Sequence, residues 1–165
     1  MTDATETDSV LVTFLREHAM FHSLTSHEIE QFLEYTEVVW ASKGDVIADV
    51  GVPSESLDFL LGGSVTLQHG PESKPVNVGH MKKGELSGEL SFFDQKPRQI
   101  RMVADSDEVT LLRLTRPLYM RLRVEHPFFA VNLLEFAIIS LDRLMRRTSS
   151  EIASMNQYLY RSTMS

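Results

Sequence analysis

A chain of 165 residues with 42% hydrophobic content has the length of one domain and enough apolar material to bury a core. It has no cysteine, which excludes disulfide scaffolds, thiolate zinc sites, iron–sulfur clusters and thiol nucleophiles, and no apolar run nears the roughly 18 to 20 residues of a membrane span. Residues 1 to 40 carry eight carboxylates against Arg16 alone, which accounts for the whole net charge of −7 and leaves the remainder neutral, without a general pull toward nucleic acid.

Residues 1–9 are small, polar and acidic and predict a disordered leader. The first six residues are acidic where a secretory signal is basic and then apolar, so the expected compartment is the cytoplasm. From Val10 to Tyr35, Leu11, Phe14, Leu15, Ile29, Phe32 and Leu33 recur at three-to-four-residue spacing and predict two short helices. Ser26 is placed at the opening of the second, with Glu28 and Glu30 in its first turn, where the helix dipole favours negative charge.

Between Val38 and Leu114 the pattern changes to short β-branched and apolar runs broken by glycine and proline. Such runs at roughly ten-residue intervals predict a compact antiparallel sandwich or barrel. Gly62-Gly63 is read as a two-residue hairpin turn, since glycine supplies the positive φ that primed turns require.

After Pro117 the chain is predicted helical to its end. Leu134, Ile138, Leu141, Met145, Thr148, Ile152, Met155 and Leu159 alternate at spacings of four and three, a heptad seam. With Ile138, Met145, Ile152 and Leu159 at a, and Leu134, Leu141, Thr148 and Met155 at d, the pattern favours a parallel two-stranded homodimer, with Thr148 its weak point. The first two turns of the stripe, near Phe128, Phe129 and Leu133, are expected to dock on the barrel. The expected organisation is therefore a leader (1–9), helices and barrel (10–130), and a dimerisation helix (131–162).

The stretch from Gly84 to Ile100 carries the most chemistry. A short apolar turn beginning near Gly88 leaves backbone N–H groups free at Gly88 to Ser91, and Pro97 fixes the approach of Arg98, whose guanidinium matches two phosphate oxygens. Glu89 is out of place beside a phosphate unless it accepts from a hydroxyl on the same ligand, which points to a sugar phosphate.

These residues resemble the phosphate-binding cassette of the cyclic nucleotide-binding domain family. Gly88-Glu89-Leu90-Ser91-Phe92 and Pro97-Arg98 stand at the family's spacing, and Phe21 to Glu28, Gly44 to Gly51, Leu57 to Val65 and Glu125-His126-Pro127 are similar to its other landmarks. The resemblance implies an α+β fold, a jelly-roll-like β-roll of about eight antiparallel strands flanked by N-terminal helices and a long C-terminal helix. It also implies a cAMP or cGMP ligand, with the ribose 2′-hydroxyl on Glu89 and the cyclic phosphate on Arg98. Backbone amides of Gly88, Leu90 and neighbours such as Ser91 would complete the cradle. Gln99 departs from the small residue usual there and leaves the base open. On the closing helix the base contact is undecided among Leu141, Leu144, Met145 and Thr148.

Other constellations carry less. His18 and His22 lie four apart, but no carboxylate set accompanies them and His27, so no metal is expected. There is no nucleophile elbow, and an enzyme is not expected. The arginines from Arg113 to Arg147 alternate with Glu125, Glu135 and Asp142, which predicts a salt-bridged solvent face. Few residues follow Leu159, so direct specific DNA binding is not expected. The expected function is a dimeric sensor that needs no cofactor and signals to a separate effector protein. The alternative is a degenerate, non-binding domain serving as a dimeric scaffold.

Overall fold

The computed structural model describes the backbone of residues 11–18 and 21–163, with side chains to residue 160; the acidic leader lies outside the described residues. Helix α1 (11–16) is followed by α2 (Ser26–Leu33). That helix opens at Ser26, but its cap is Thr25: the Thr25 hydroxyl accepts from the Glu28 amide at 3.3 Å, and the Glu28 carboxylate accepts from the Thr25 amide at 2.7 Å. Such reciprocal caps contribute about 1 kcal/mol.

Eight antiparallel strands then form two four-stranded sheets. They are β1 (Glu37–Ser42), β2 (Val46–Ala48), β3 (Ser56–Gly62), β4 (Val65–His69), β5 (Val76–Met81), β6 (Leu86–Ser87), β7 (Ile100–Ala104) and β8 (Glu108–Thr115). One sheet has the order β1-β8-β3-β6 and the other β2-β7-β4-β5. The fold is the β-roll that the cassette implied. No predicted strand corresponds to β6, which at two residues is too short to show a period.

The reading of Gly62-Gly63 as a hairpin turn is wrong. Strands β3 and β4, which flank the pair, belong to different sheets, so the two glycines carry the chain across the roll. The local requirement was read correctly: Gly63 has φ +81°, and a Cβ there would lie 2.4 Å from the Glu108 carbonyl oxygen. Which strands the turn joins is decided by pairing distant in sequence.

Strand alternation builds two cores. From β8, Val109 and Leu111 point into the roll with Leu60, Val65 and Met102. Leu112 and Leu114 point outward, where helices cover the sheet through Phe21, Ile29, Phe32, Phe129 and Leu133. Helix α3 (Glu89–Asp94) interrupts the roll, and α4 (Arg116–Glu125) follows it. Helix α5 (Pro127–Thr163) begins at a proline, which suits a first helical position because its missing N–H needs no partner.

Helix α5 docks through Phe129, Ala130, Leu133, Phe136 and Ala137. The expectation that the heptad stripe itself docks over its first turns is corrected here. Leu134 and Ile138 remain 38% and 66% exposed, on a stripe adjacent to the docking face. No described helix is long and apolar enough to cross a membrane.

Candidate functional site

A cavity of about 620 Å³ opens between α3, the β4–β5 pair and α5. All seven residues singled out from the cassette, Gly88, Glu89, Leu90, Ser91, Pro97, Arg98 and Gln99, line it. The local backbone explains their convergence. Gly88 has φ +98° and stands as the N-cap of α3 without any side-chain cap. A Cβ at Gly88 would lie 2.6 Å from Arg98 Nη2 and 2.8 Å from the Ser56 carbonyl oxygen, so only glycine lets the guanidinium rest against this turn.

Arg98 is held without being neutralised. Its Nη2 donates to Ser54 Oγ at 2.9 Å, and its Nη1 contacts Met102 Sδ at 3.3 Å. Among the described residues no carboxylate lies within ion-pair distance of it. Burial lowers its pKa from the ordinary guanidinium value, while the charges of Asp58 and Glu89 act in the opposite direction. A permanently charged fork with a neutral hydroxyl and a thioether as neighbours retains its affinity for an anion.

Glu89 occupies the same cavity and does not pair with Arg98. Its side chain is nearly buried, and its Oε1 accepts from Ser140 Oγ of α5 at 2.7 Å. Burial raises its pKa above the usual carboxylate range, opposed by the Ser140 hydrogen bond, by its own backbone amide and by the charge of Arg98. Among the described residues Ser140 is the one side chain that donates to this carboxylate, which leaves it acceptor capacity for a ligand hydroxyl.

Ser91 supports the cassette through its side chain. Its hydroxyl accepts from the Ser54 amide at 2.8 Å and donates to the Lys96 carbonyl, so the side chain is already engaged within the protein. Arg116, at the start of α4, fastens the other side: its Nη2 donates to the carbonyls of Ser54 and Phe92, and its guanidinium lies 4.3 Å from the Phe92 ring centroid. Pro97, Gln99 and Leu90 are exposed on the rim.

Of the four candidates on α5 for contact with the base, Leu141 and Leu144 line the cavity. Met145 and Thr148 do not line it, and Thr148 donates to the Leu144 carbonyl at 3.0 Å. Sequence reasoning missed Ser54, Ser140, His80 and Phe136, which approach from elements far from the cassette. It also read Arg143 and Arg147 only as solvent-facing charges, whereas both line the cavity. His18 is a packing residue: its Nδ1 pairs with the Phe14 carbonyl at 2.8 Å, and its ring lies against Gly84.

A roll whose cavity joins an unpaired arginine, a buried carboxylate and a closing helix defines a small-ligand-binding domain with a place for an anion. Residues 38–126 match the cyclic nucleotide-binding domain, and the chain belongs to that family. The cAMP-dependent protein kinase regulatory subunit of Hypocrea atroviridis is 32% identical over 109 residues, which is 66% of this chain and 22% of that protein. The corresponding subunit of Colletotrichum orbiculare is 29% identical, over 66% of this chain and 27% of that protein. The chain thus spans about a quarter of the length of these relatives.

Among solved structures, the catabolite activator protein of Thermus thermophilus superposes with a TM-score of 0.66 at 28% identity, covering 83% of this chain and 62% of that one. A cyclic nucleotide-binding domain from Methylobacillus flagellatus reaches a TM-score of 0.78 at 19% identity, over 92% of this chain and 85% of that one, a likeness of fold.

Proposed function

We propose that this protein is a regulatory sensor that binds cAMP or cGMP, works as a homodimer and passes the signal to a separate effector protein in the cytoplasm. The observation that carries the reading is the state of Arg98: held at the cavity wall by Ser54 and Met102, with no carboxylate in ion-pair distance among the described residues. A cyclic phosphate supplies the missing negative charge as a pair of oxygens, which a guanidinium takes bidentately. The Gly88 turn and the uncapped amides of Leu90 and Ser91 face the same anion, and Glu89 accepts the ribose hydroxyl through its carboxylate. The family membership and the likeness to regulatory subunits of cAMP-dependent protein kinase support the choice of ligand.

The route from ligand to helix runs through Ser140. Glu89 is bonded at once to α5 and to the cassette, so a ligand that engages Glu89 alters the relative stability of two placements of α5. A ligand shifts that equilibrium only by its unequal affinity for the two placements. Beyond the roll, Ile138, Met145, Ile152, Met155 and Leu159 stand at 50 to 69% exposure along one stripe, which a second α5 would cover. Sedimentation of an Ile152→Asp variant, far from the cavity, is expected to give monomers where the parent gives dimers; a dimeric variant would remove the seam from the proposal.

Thermal melting tests the sensor reading. At a hundredfold excess over Kd, cAMP or cGMP stabilises by about 2.7 kcal/mol, raising Tm by several degrees. The Arg98→Ala protein loses that gain. If neither nucleotide moves the melt of the parent, the scaffold reading replaces the sensor.

A further inference from the structure

We infer that the site selects guanine over adenine, through a donor-only edge that Arg143 and Arg147 present from α5; the inference rests on the cyclic nucleotide reading of the cavity. Away from the cassette, on the side formed by β4, β5 and α5, the lining includes Leu67, His80, Leu141, Arg143, Leu144 and Arg147, while the carboxylates of Glu85 and Asp94 line the cavity from other elements. The leucines offer apolar surface to the flat faces of a base. The charged groups between them, Arg143 and Arg147, are donors only. Arg143 makes no ion pair among the described residues. Arg147 reaches from α5 to β5, where a methyl group added at Gly79 would lie 3.1 Å from its Nη2. Its acidic partner among the described residues, Glu151 at 3.8 Å, is exposed and on the same helix, an arrangement that water screens. His80 is engaged through Nδ1 with Thr66 Oγ1 at 3.3 Å. No carboxylate or carboxamide side chain from β4, β5 or α5 lines this wall.

A wall of arginine donors distinguishes the purines. The outer edge of guanine carries two neighbouring acceptors, O6 and N7, which a guanidinium takes as a pair. On adenine the exocyclic amino group replaces O6, so a donor would face a donor and one of them would lose its partner on leaving water. Each such pair discriminates by about tenfold or more. On this view Gln99, at the opposite rim, has no part in selecting the base.

The test is calorimetric titration of the full chain with cGMP, cIMP, cAMP and a cyclic dinucleotide, repeated on an Arg143→Leu/Arg147→Leu variant. Inosine keeps O6 and N7 and lacks only the 2-amino group, so it reports on the proposed edge alone. The expected result is that cGMP and cIMP each bind at least about tenfold more tightly than cAMP. In the double variant the preference for cGMP and cIMP over cAMP is lost. Equal or tighter binding of cAMP by the parent overturns the inference and leaves the cyclic nucleotide reading intact. So does tight cGMP with weak cIMP, which moves recognition to the 2-amino group. A cyclic dinucleotide that binds more tightly than cGMP and is lost in the double variant assigns the arginines to a second phosphate, and also overturns it. If none of the three mononucleotides binds the parent, the cyclic nucleotide reading fails and takes this inference with it. The parent comparison stands even if the double variant fails to fold.

Discussion

Two regions of the roll each hold a half-buried arginine, and they differ in what faces it. On β8, Arg113 Nε donates to Asp58 Oδ1 at 2.6 Å, and Asp58, its cross-strand partner on β3, is 1% exposed. In the cassette, just ahead of β7, Arg98 has a hydroxyl and a thioether in place of a carboxylate. The first arrangement is complete within the chain, because two desolvated opposite charges satisfy each other. The second leaves a half-buried cation with no carboxylate in ion-pair distance among the described residues. The contrast teaches that burial of charge does not itself mark a site; the unmatched charge does.

The largest break in this contrast is expected at Arg113. Arg113→Met leaves the Asp58 carboxylate buried without its cation and should cost about 3–5 kcal/mol in urea unfolding. A loss below about 1 kcal/mol would mean that the pair does not anchor β3 to β8. Next is Gly88→Ala, which forces a Cβ into left-handed backbone and against the Ser56 carbonyl. It is expected to destabilise by about 1–3 kcal/mol and to weaken ligand binding by displacing Arg98. An alanine variant that melts and binds like the parent would show that the turn is not what seats the guanidinium.

The smallest effect sharpens the comparison by pH. Burial raises the Glu89 pKa above its ordinary 4.5, so the folded state holds this proton more tightly than the unfolded state. Its contribution is favourable below pH 4.5 and is lost as pH rises through the folded value. A Glu89→Gln protein lacks that loss. Its urea midpoint, measured against the parent from pH 4.5 upward, should gain steadily until the folded-state pKa is passed, and a constant difference would contradict the burial assignment. Asp49, whose pKa is lowered chiefly by the Arg101 hydrogen bond, contributes the opposite slope, with stability lost as pH falls through its depressed value.

The parts legible in the sequence were those whose signal is local. Gly88 to Gln99 are contiguous, so the turn, the helix start and the proline-fixed arginine could be read as a unit. Seven of the eight strands announced themselves by β-branched runs, and β6 did not because two residues carry no alternation. Ser54 and Ser140 reach the site from the loop before β3 and from α5, 44 residues before Arg98 and 51 after Glu89, and nothing beside them in sequence marks their role. Helix α5 shows the same limit. Its 3.5-residue period revealed an apolar stripe, but only the packing of Phe129, Leu133 and Phe136 shows that the neighbouring stripe is the one that docks.

The most direct measurement is calorimetric titration of cGMP and cAMP into the parent and into Arg98→Ala, with unfolding of both proteins followed without ligand. The expected result is saturable binding to the parent, none to the variant, and ligand-free stabilities within about 1 kcal/mol, because Arg98 makes no ion pair among the described residues. Undiminished binding by the variant, or a collapse of its ligand-free stability, would contradict it, since Arg98 would then be a structural charge like Arg113.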